Sequence, residues 1–109
     1  MLDPNKIKRK IPVNDFIVLI RKYKYEDIGD SGHAFKRLSQ KQRELFTLEE
    51  IRKILLENHP FLVGIQENDN YAVFYKHQGK NLRIIIKLES QKVKIVTLYN
   101  ILEWQIPKV

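Results

Sequence analysis

The chain has 109 residues, and 20 Lys and Arg against 13 Asp and Glu give it a formal charge of +7. This length fits one globular domain, and the charge favours a polyanionic partner such as RNA, DNA or an acidic protein, among which charge alone does not choose. The absence of Cys excludes disulfides, zinc fingers and thiol nucleophiles. No apolar run nears the roughly 20 residues that span a bilayer, and no leader pattern opens the chain, so we expect a cytoplasmic location without membrane contact.

The first 13 residues are predicted to form a basic arm. Its cations are Lys6, Lys8, Arg9 and Lys10, which we expect to contact nucleic acid. Prolines at positions 4 and 12 disfavour any regular element there. A Lys- and Ile-rich composition could instead reflect a genome bias or a hot environment.

Three helices are predicted next, in residues 14–102, which we interpret as a single domain. The first follows Asn14, where Phe16, Ile17 and Ile20 recur at helical spacing, although a buried strand fits the same run. Two glycines and three acids in 26–32 indicate a loop. The second helix covers 33–44, and the third begins at a Thr47 cap with Glu50 three residues later and ends before Pro60.

The C-terminal half is predicted to be β-structure. Four runs rich in β-branched and aromatic residues occupy 61–66, 71–76, 82–88 and 93–99, separated by short turns. Such short connections join antiparallel neighbours. The sequence therefore predicts an α+β fold, with N-terminal helices packed on a C-terminal four-stranded antiparallel meander. Residues 103–109 are expected to form a tail in which Trp104 folds back on the domain edge.

One face of this meander is expected to be open. If Leu82, Ile84, Ile86 and Leu88 face the core, Arg83 and Lys87 point away from it on the same side of the strand, where they could contact phosphates. Lys76 is a further cation for such a surface. Tyr99 and the aromatics of 71–75 could stack on bases there, or could fill the core instead. A solvated charged face explains the same alternation.

The helix that starts near His33 carries a second polar group. His33 and Arg37 lie on one side of this helix, opposite its apolar stripe. A histidine in the first turn is kept neutral by the helix N-terminus, as a general base requires. An ordinary solvated helix face accounts for the same stripe. Asp27, Asp30 and His33 make only a weak metal cluster, so no metal and no cofactor is expected.

These residues resemble a known group of proteins. The sequence His33-Ala34-Phe35-Lys36-Arg37, then Gln42-Arg43, the capped helix 47–58 and the strand Lys94 to Tyr99 follow in that order. This succession resembles RelE/ParE and BrnT type toxins and the wider group of barnase-like, EndoU-like and colicin-like RNase folds. The resemblance covers about residues 32–101.

The resemblance implies metal-independent RNA cleavage, in which a ribose 2′-hydroxyl attacks the adjacent phosphate. His33 would then be the acid or base, Arg37 and Arg83 would hold the phosphate, and Thr97 or Tyr99 would orient or protonate it. A cognate antitoxin is the implied protein partner. Two alternatives stay open, a nucleic-acid-binding domain without chemistry and a protein-interaction module on the same fold.

Overall fold

A six-stranded mixed sheet organises the part of the chain that the computed structural model describes, residues 6–30 and 47–108. The strands are β1 (Ile7–Ile11), β2 (Ile28–Asp30), β3 (Leu62–Gln66), β4 (Tyr71–His77), β5 (Lys80–Leu88) and β6 (Val93–Ile101). Their order across the sheet is β1-β3-β4-β5-β6-β2. The described helices are α1 (Val13–Ile20) and α2 (Leu48–Glu57). No helix in these ranges is long and apolar enough to cross a membrane.

The predicted architecture, N-terminal helices on a four-stranded antiparallel meander, is wrong. The sheet has two more strands, and the shorter of them, β2, pairs parallel with β6, so the sheet is mixed. In chain order, β1 precedes both described helices and β2 lies between them. Both added strands come from segments predicted to lack regular structure, and both occupy sheet edges.

The strand β1 forms because the two prolines of the N-terminal segment lie outside it and because the neighbouring strand, β3, allows a close approach. Gly64 on β3 faces β1, and a Cβ there would lie 2.5 Å from Cγ2 of Ile7. Glycine therefore lets the Ile7 side chain pack against the β3 backbone. The charged residues Lys8, Arg9 and Lys10 suit an edge strand, because charge discourages pairing with other chains.

One face of the sheet carries α1 and α2. The core there joins Phe16 and Ile20 of α1 and Ile51 and Leu55 of α2 to the inward residues of the sheet. The opposite face, which we call the second face, has its own buried apolar cluster. Its members are Leu62, Ala72, Phe74, Ile85 and Ile101. The expectation of an open face is therefore wrong for the middle of the sheet, where both faces of β3, β4 and β5 are buried.

The start of α2 matches its sequence signal and gives a direct test. The Thr47 hydroxyl accepts a hydrogen bond from the Glu50 backbone N–H at 3.1 Å. Thr47→Ala is expected to lower the free energy of unfolding by about 1 kcal/mol, because that N–H loses its acceptor. Urea denaturation measures the change, and Thr47→Ser, which keeps the hydroxyl, is the control. Equal losses in both variants would contradict a capping role.

Candidate functional site: a basic cleft at the β5–β6 hairpin

Three of the five predicted catalytic residues share the second face. Arg83 on β5 lies opposite Tyr99 on β6. Two residues further along β5, Ile85 lies opposite Thr97 on β6. Directly paired residues of antiparallel strands point to the same side of a sheet. His33 and Arg37 lie outside the described residues, so the complete predicted set is not brought together in the described part of the chain.

Arg83 is enclosed between aromatic rings. Its guanidinium carbon lies 5.5 Å from the Phe74 ring centre and 5.7 Å from the Tyr99 ring centre. Only 7% of the residue is exposed. A guanidinium stacked in this way stabilises the packing of the second face by cation–π attraction. This position favours a structural role over contact with a phosphate from solvent.

The cations predicted to bind nucleic acid are spread over the sheet. Lys6, Lys8, Arg9 and Lys10 follow one edge, where Lys6 lies 3.9 Å from Glu67 and Lys8 pairs with Asp69. Lys76 lies at the end of β4, 3.7 Å from Glu103. Lys87 is exposed on β5, three strands from β1, or roughly 14 Å. These residues do not converge on one site.

A basic cleft that sequence reasoning missed lies at one end of the sheet. We call it the hairpin cleft, because the turn between β5 and β6 forms its centre. It consists of two adjoining hollows of about 580 and 360 Å³ that share Asp27, Ser90 and Gln91. The cations that line it are Lys22, Lys24, Arg52, Lys92 and Lys94. Among the described residues, the carboxylates that line it are Glu26, Asp27 and Glu89, so the described lining carries an excess of positive charge.

Hydrogen bonds hold the parts of the hairpin cleft together. The Tyr23 hydroxyl, just after α1, donates to the backbone oxygen of Glu89 at 2.5 Å and joins α1 to the hairpin. Burial, with a smaller contribution from Tyr71, raises the pKa of this hydroxyl, which therefore stays a donor at neutral pH. The Asp27 carboxylate accepts from the Lys24 backbone N–H at 2.8 Å and closes a short 3₁₀ turn, Tyr25–Asp27.

Arg52 is fixed at the wall of the hairpin cleft by two contacts. Its Nε donates to the Ile28 backbone oxygen at 2.7 Å, and its guanidinium carbon lies 5.0 Å from the Tyr25 ring centre. Because Nε is used, the two terminal nitrogens are the part of the guanidinium available to the cleft. This geometry presents a planar donor pair of the kind that binds phosphate oxygens.

Glu89 is the central carboxylate of the hairpin cleft. Its oxygens lie 3.1 Å from the Lys94 ammonium and 3.9 Å from that of Lys92. The hydrogen bond from Lys94 lowers the pKa of Glu89, and the charges of Lys94, Lys92 and Lys87 act in the same direction. Lys87 lies directly opposite Lys94 across the ladder. Two ammonium groups thus face one carboxylate, and a third belongs to the residue paired with Lys94, which leaves a local excess of positive charge.

The hairpin cleft is built for binding. Ammonium and guanidinium groups bind phosphate oxygens, and the lining residues Ser90 and Gln91 add neutral side chains with hydrogen-bond donors. No group of three His, Cys, Asp or Glu suited to a metal ion occurs among the described residues. Among the described residues, neither His nor Tyr lines the larger of the two hollows.

The described residues define a small, mostly β domain, a six-stranded mixed sheet with α1 and α2 on one face and a basic cleft at one end. The chain belongs to the MJ0788 family, whose model matches residues 14–87. Searches of curated proteins and of solved structures found no significant match. The matched residues include Lys22, Lys24 and Arg52 of the hairpin cleft. The resemblance to RelE, ParE and BrnT type toxins gains no support from these comparisons and stays a prediction.

Proposed function

We propose that this protein is a nucleic-acid-binding domain that holds the phosphate backbone of single-stranded RNA in the hairpin cleft. The observation that supports the proposal is the convergence on two adjoining hollows of five cations, from the segment after α1, from α2 and from the β5–β6 hairpin. The formal charge of +7 adds long-range attraction for a polyanion. The proposal includes a cytoplasmic location, which the cysteine-free sequence suits.

Removing two cations from the hairpin cleft tests the proposal. The double variant Lys92→Ala, Lys94→Ala is expected to bind a labelled single-stranded RNA of about 12 nucleotides roughly tenfold more weakly at low salt. The slope of log affinity against log salt should fall by about 1.4, since each lost phosphate contact removes about 0.7. Fluorescence anisotropy at several salt concentrations measures both quantities. The same titration with DNA of the same sequence compares the affinities for RNA and DNA.

The matched control removes the same charge elsewhere. Lys8→Ala, Lys10→Ala takes two positive charges from β1, a segment that the sequence predicts to contact nucleic acid. We expect a loss of affinity smaller than in the cleft variant, because only long-range attraction changes. Equal losses in the two variants would show that net charge alone binds RNA and would contradict a specific cleft.

The ribonuclease hypothesis is tested with the same RNA. Gel analysis after incubation without metal shows whether the RNA is cut, and a His33→Ala variant shows whether the predicted acid or base is required. Cleavage that depends on His33 would replace the binding proposal with the enzymatic one. Cleavage that persists in His33→Ala, Arg37→Ala would contradict the predicted catalytic pair.

A further inference from the structure

An exposed aromatic surface lies at the end of the sheet opposite the hairpin cleft. Trp104, in a 3₁₀ turn after β6, is 76% exposed, and Leu102 before it is 60% exposed. Phe61, just before β3, is also exposed. The Lys76 ammonium joins these parts, because it lies 5.6 Å from the Phe61 ring centre and 3.7 Å from the Glu103 carboxylate. We call these five residues the Trp104 surface.

Hydrogen-bonding groups lie beside these aromatic rings. A cavity of about 380 Å³ is lined by Asn81, Leu102 and Glu103 together with Lys80. The Asn81 amide nitrogen lies 3.3 Å from the Glu103 carboxylate, which fixes the nitrogen as the atom facing that acceptor.

The Asn81 amide oxygen therefore points elsewhere, and it has no hydrogen-bond partner among the described residues, although Asn81 is only 7% exposed. A buried polar atom without a partner is costly, so a ligand that supplies a donor gains from it.

The composition of the Trp104 surface distinguishes two kinds of partner. Cores of protein–protein interfaces are depleted in Lys and Glu, whereas Lys76, Lys80 and Glu103 lie in or beside this surface. Sites for single-stranded nucleic acid combine exposed aromatic rings for stacking, cations for the backbone and polar groups for base edges. The residues present match the second description.

We propose that the Trp104 surface binds a base of single-stranded RNA, stacked on the Trp104 indole with its edge hydrogen-bonded by Glu103 or Asn81. The proposal rests on the proposed function and adds to it a contact with bases, which the hairpin cleft lacks. The two sites lie at opposite ends of β5, whose nine residues extend about 30 Å.

The single tryptophan of the sequence makes a direct test possible. Because Trp104 is the only Trp, its fluorescence reports on this surface alone. Oligoadenylate and oligouridylate are expected to quench the emission, whereas inorganic polyphosphate, a polyanion without bases, should bind without quenching. Titration of free N-acetyltryptophanamide corrects for light absorbed by the RNA. Trp104→Ala should weaken RNA binding by about fivefold or more, and Trp104→Phe, which keeps an aromatic ring, by less.

The outcomes separate this inference from the proposed function. RNA binding without quenching, with unchanged affinity in Trp104→Ala, would overturn the stacking site and leave the hairpin cleft in place. Quenching that is unaffected by the double variant Lys92→Ala, Lys94→Ala would support stacking and would contradict RNA binding in the hairpin cleft. An absence of RNA binding at low salt would overturn both. Emission that changes with protein concentration alone would assign the surface to a second copy of the chain and overturn stacking.

Discussion

Replacement of Arg83 by alanine is expected to lower the free energy of unfolding by about 2–4 kcal/mol. The guanidinium carbon lies 5.5 Å from the Phe74 ring centre and 5.7 Å from the Tyr99 ring centre, and Arg83 is buried. A desolvated cation–π contact contributes about 2 kcal/mol, and truncation also leaves a space between the rings. Urea denaturation at neutral pH measures the loss.

Lys87→Ala is the matched control for this prediction. Lys87 lies on the same strand and the same face as Arg83, but it is exposed, so its removal should change stability by no more than about 0.5 kcal/mol. Arg83→Lys should give an intermediate loss, because an ammonium keeps the charge without a planar group that stacks on two rings. Equal denaturation midpoints for Arg83→Ala and Lys87→Ala would contradict a structural role for Arg83.

This result also bears on the predicted ribonuclease. If Arg83 held a phosphate, as the toxin resemblance implies, its alanine variant would fold with nearly normal stability and lose only RNA cleavage. If Arg83 is structural, the loss of stability comes first, and any loss of activity follows from it. Measuring both quantities on the same variant separates these two readings.

Replacement of Tyr75 by phenylalanine is expected to raise the free energy of unfolding by about 1–3 kcal/mol. Tyr75 is 1% exposed in the core beneath the helices, and its hydroxyl has no hydrogen-bond partner among the described residues. A buried hydroxyl without a partner costs about that amount, and Phe keeps the packed ring. Tyr23→Phe is the control with the opposite sign, because the Tyr23 hydroxyl donates to Glu89. A lower stability in Tyr75→Phe would contradict the prediction.

The same residue predicts a loss of stability at alkaline pH. Burial raises the pKa of Tyr75 well above its ordinary value of 10.0. Above about pH 10 the unfolded chain releases this proton while the folded chain retains it, so the free energy of unfolding falls as pH rises. Denaturation between pH 8 and 11 should show a shallower decline in Tyr75→Phe than in the wild type. Parallel declines would mean that other groups cause the loss.

Glu89 illustrates how the hairpin cleft depends on contacts between distant segments. Its side chain meets Lys92 and Lys94, three and five residues away, whereas its backbone accepts from Tyr23, 66 residues earlier. No local pattern in the sequence joins the residues after α1 to this turn. The sequence feature that comes nearest to indicating the hairpin cleft is the pair Lys22 and Lys24 on either side of Tyr23. Composition alone does not distinguish this pair from the charged, solvated end of a helix.

By itself, the sequence determined the elements whose signals are local. The alternating residues of β4 and β5 and the Thr47 cap of α2 identified those segments, because strand alternation and capping each depend on residues a few positions apart. The Gln78–Gly79 turn between these strands, with positive φ at both residues, is likewise a local feature.

Only the tertiary structure decided which segments close the sheet and where the cations meet. β1 and β2 are too short and too polar to be recognised alone, and each becomes a strand by pairing with β3 or β6, far along the chain. Pairing of β5 with β4 and β6 encloses Arg83 between Phe74 and Tyr99. Packing between distant segments places both faces of β3, β4 and β5 in apolar surroundings and brings five cations together at the β5–β6 hairpin. Backbone pairing and packing between distant segments have no short-range signature in a sequence.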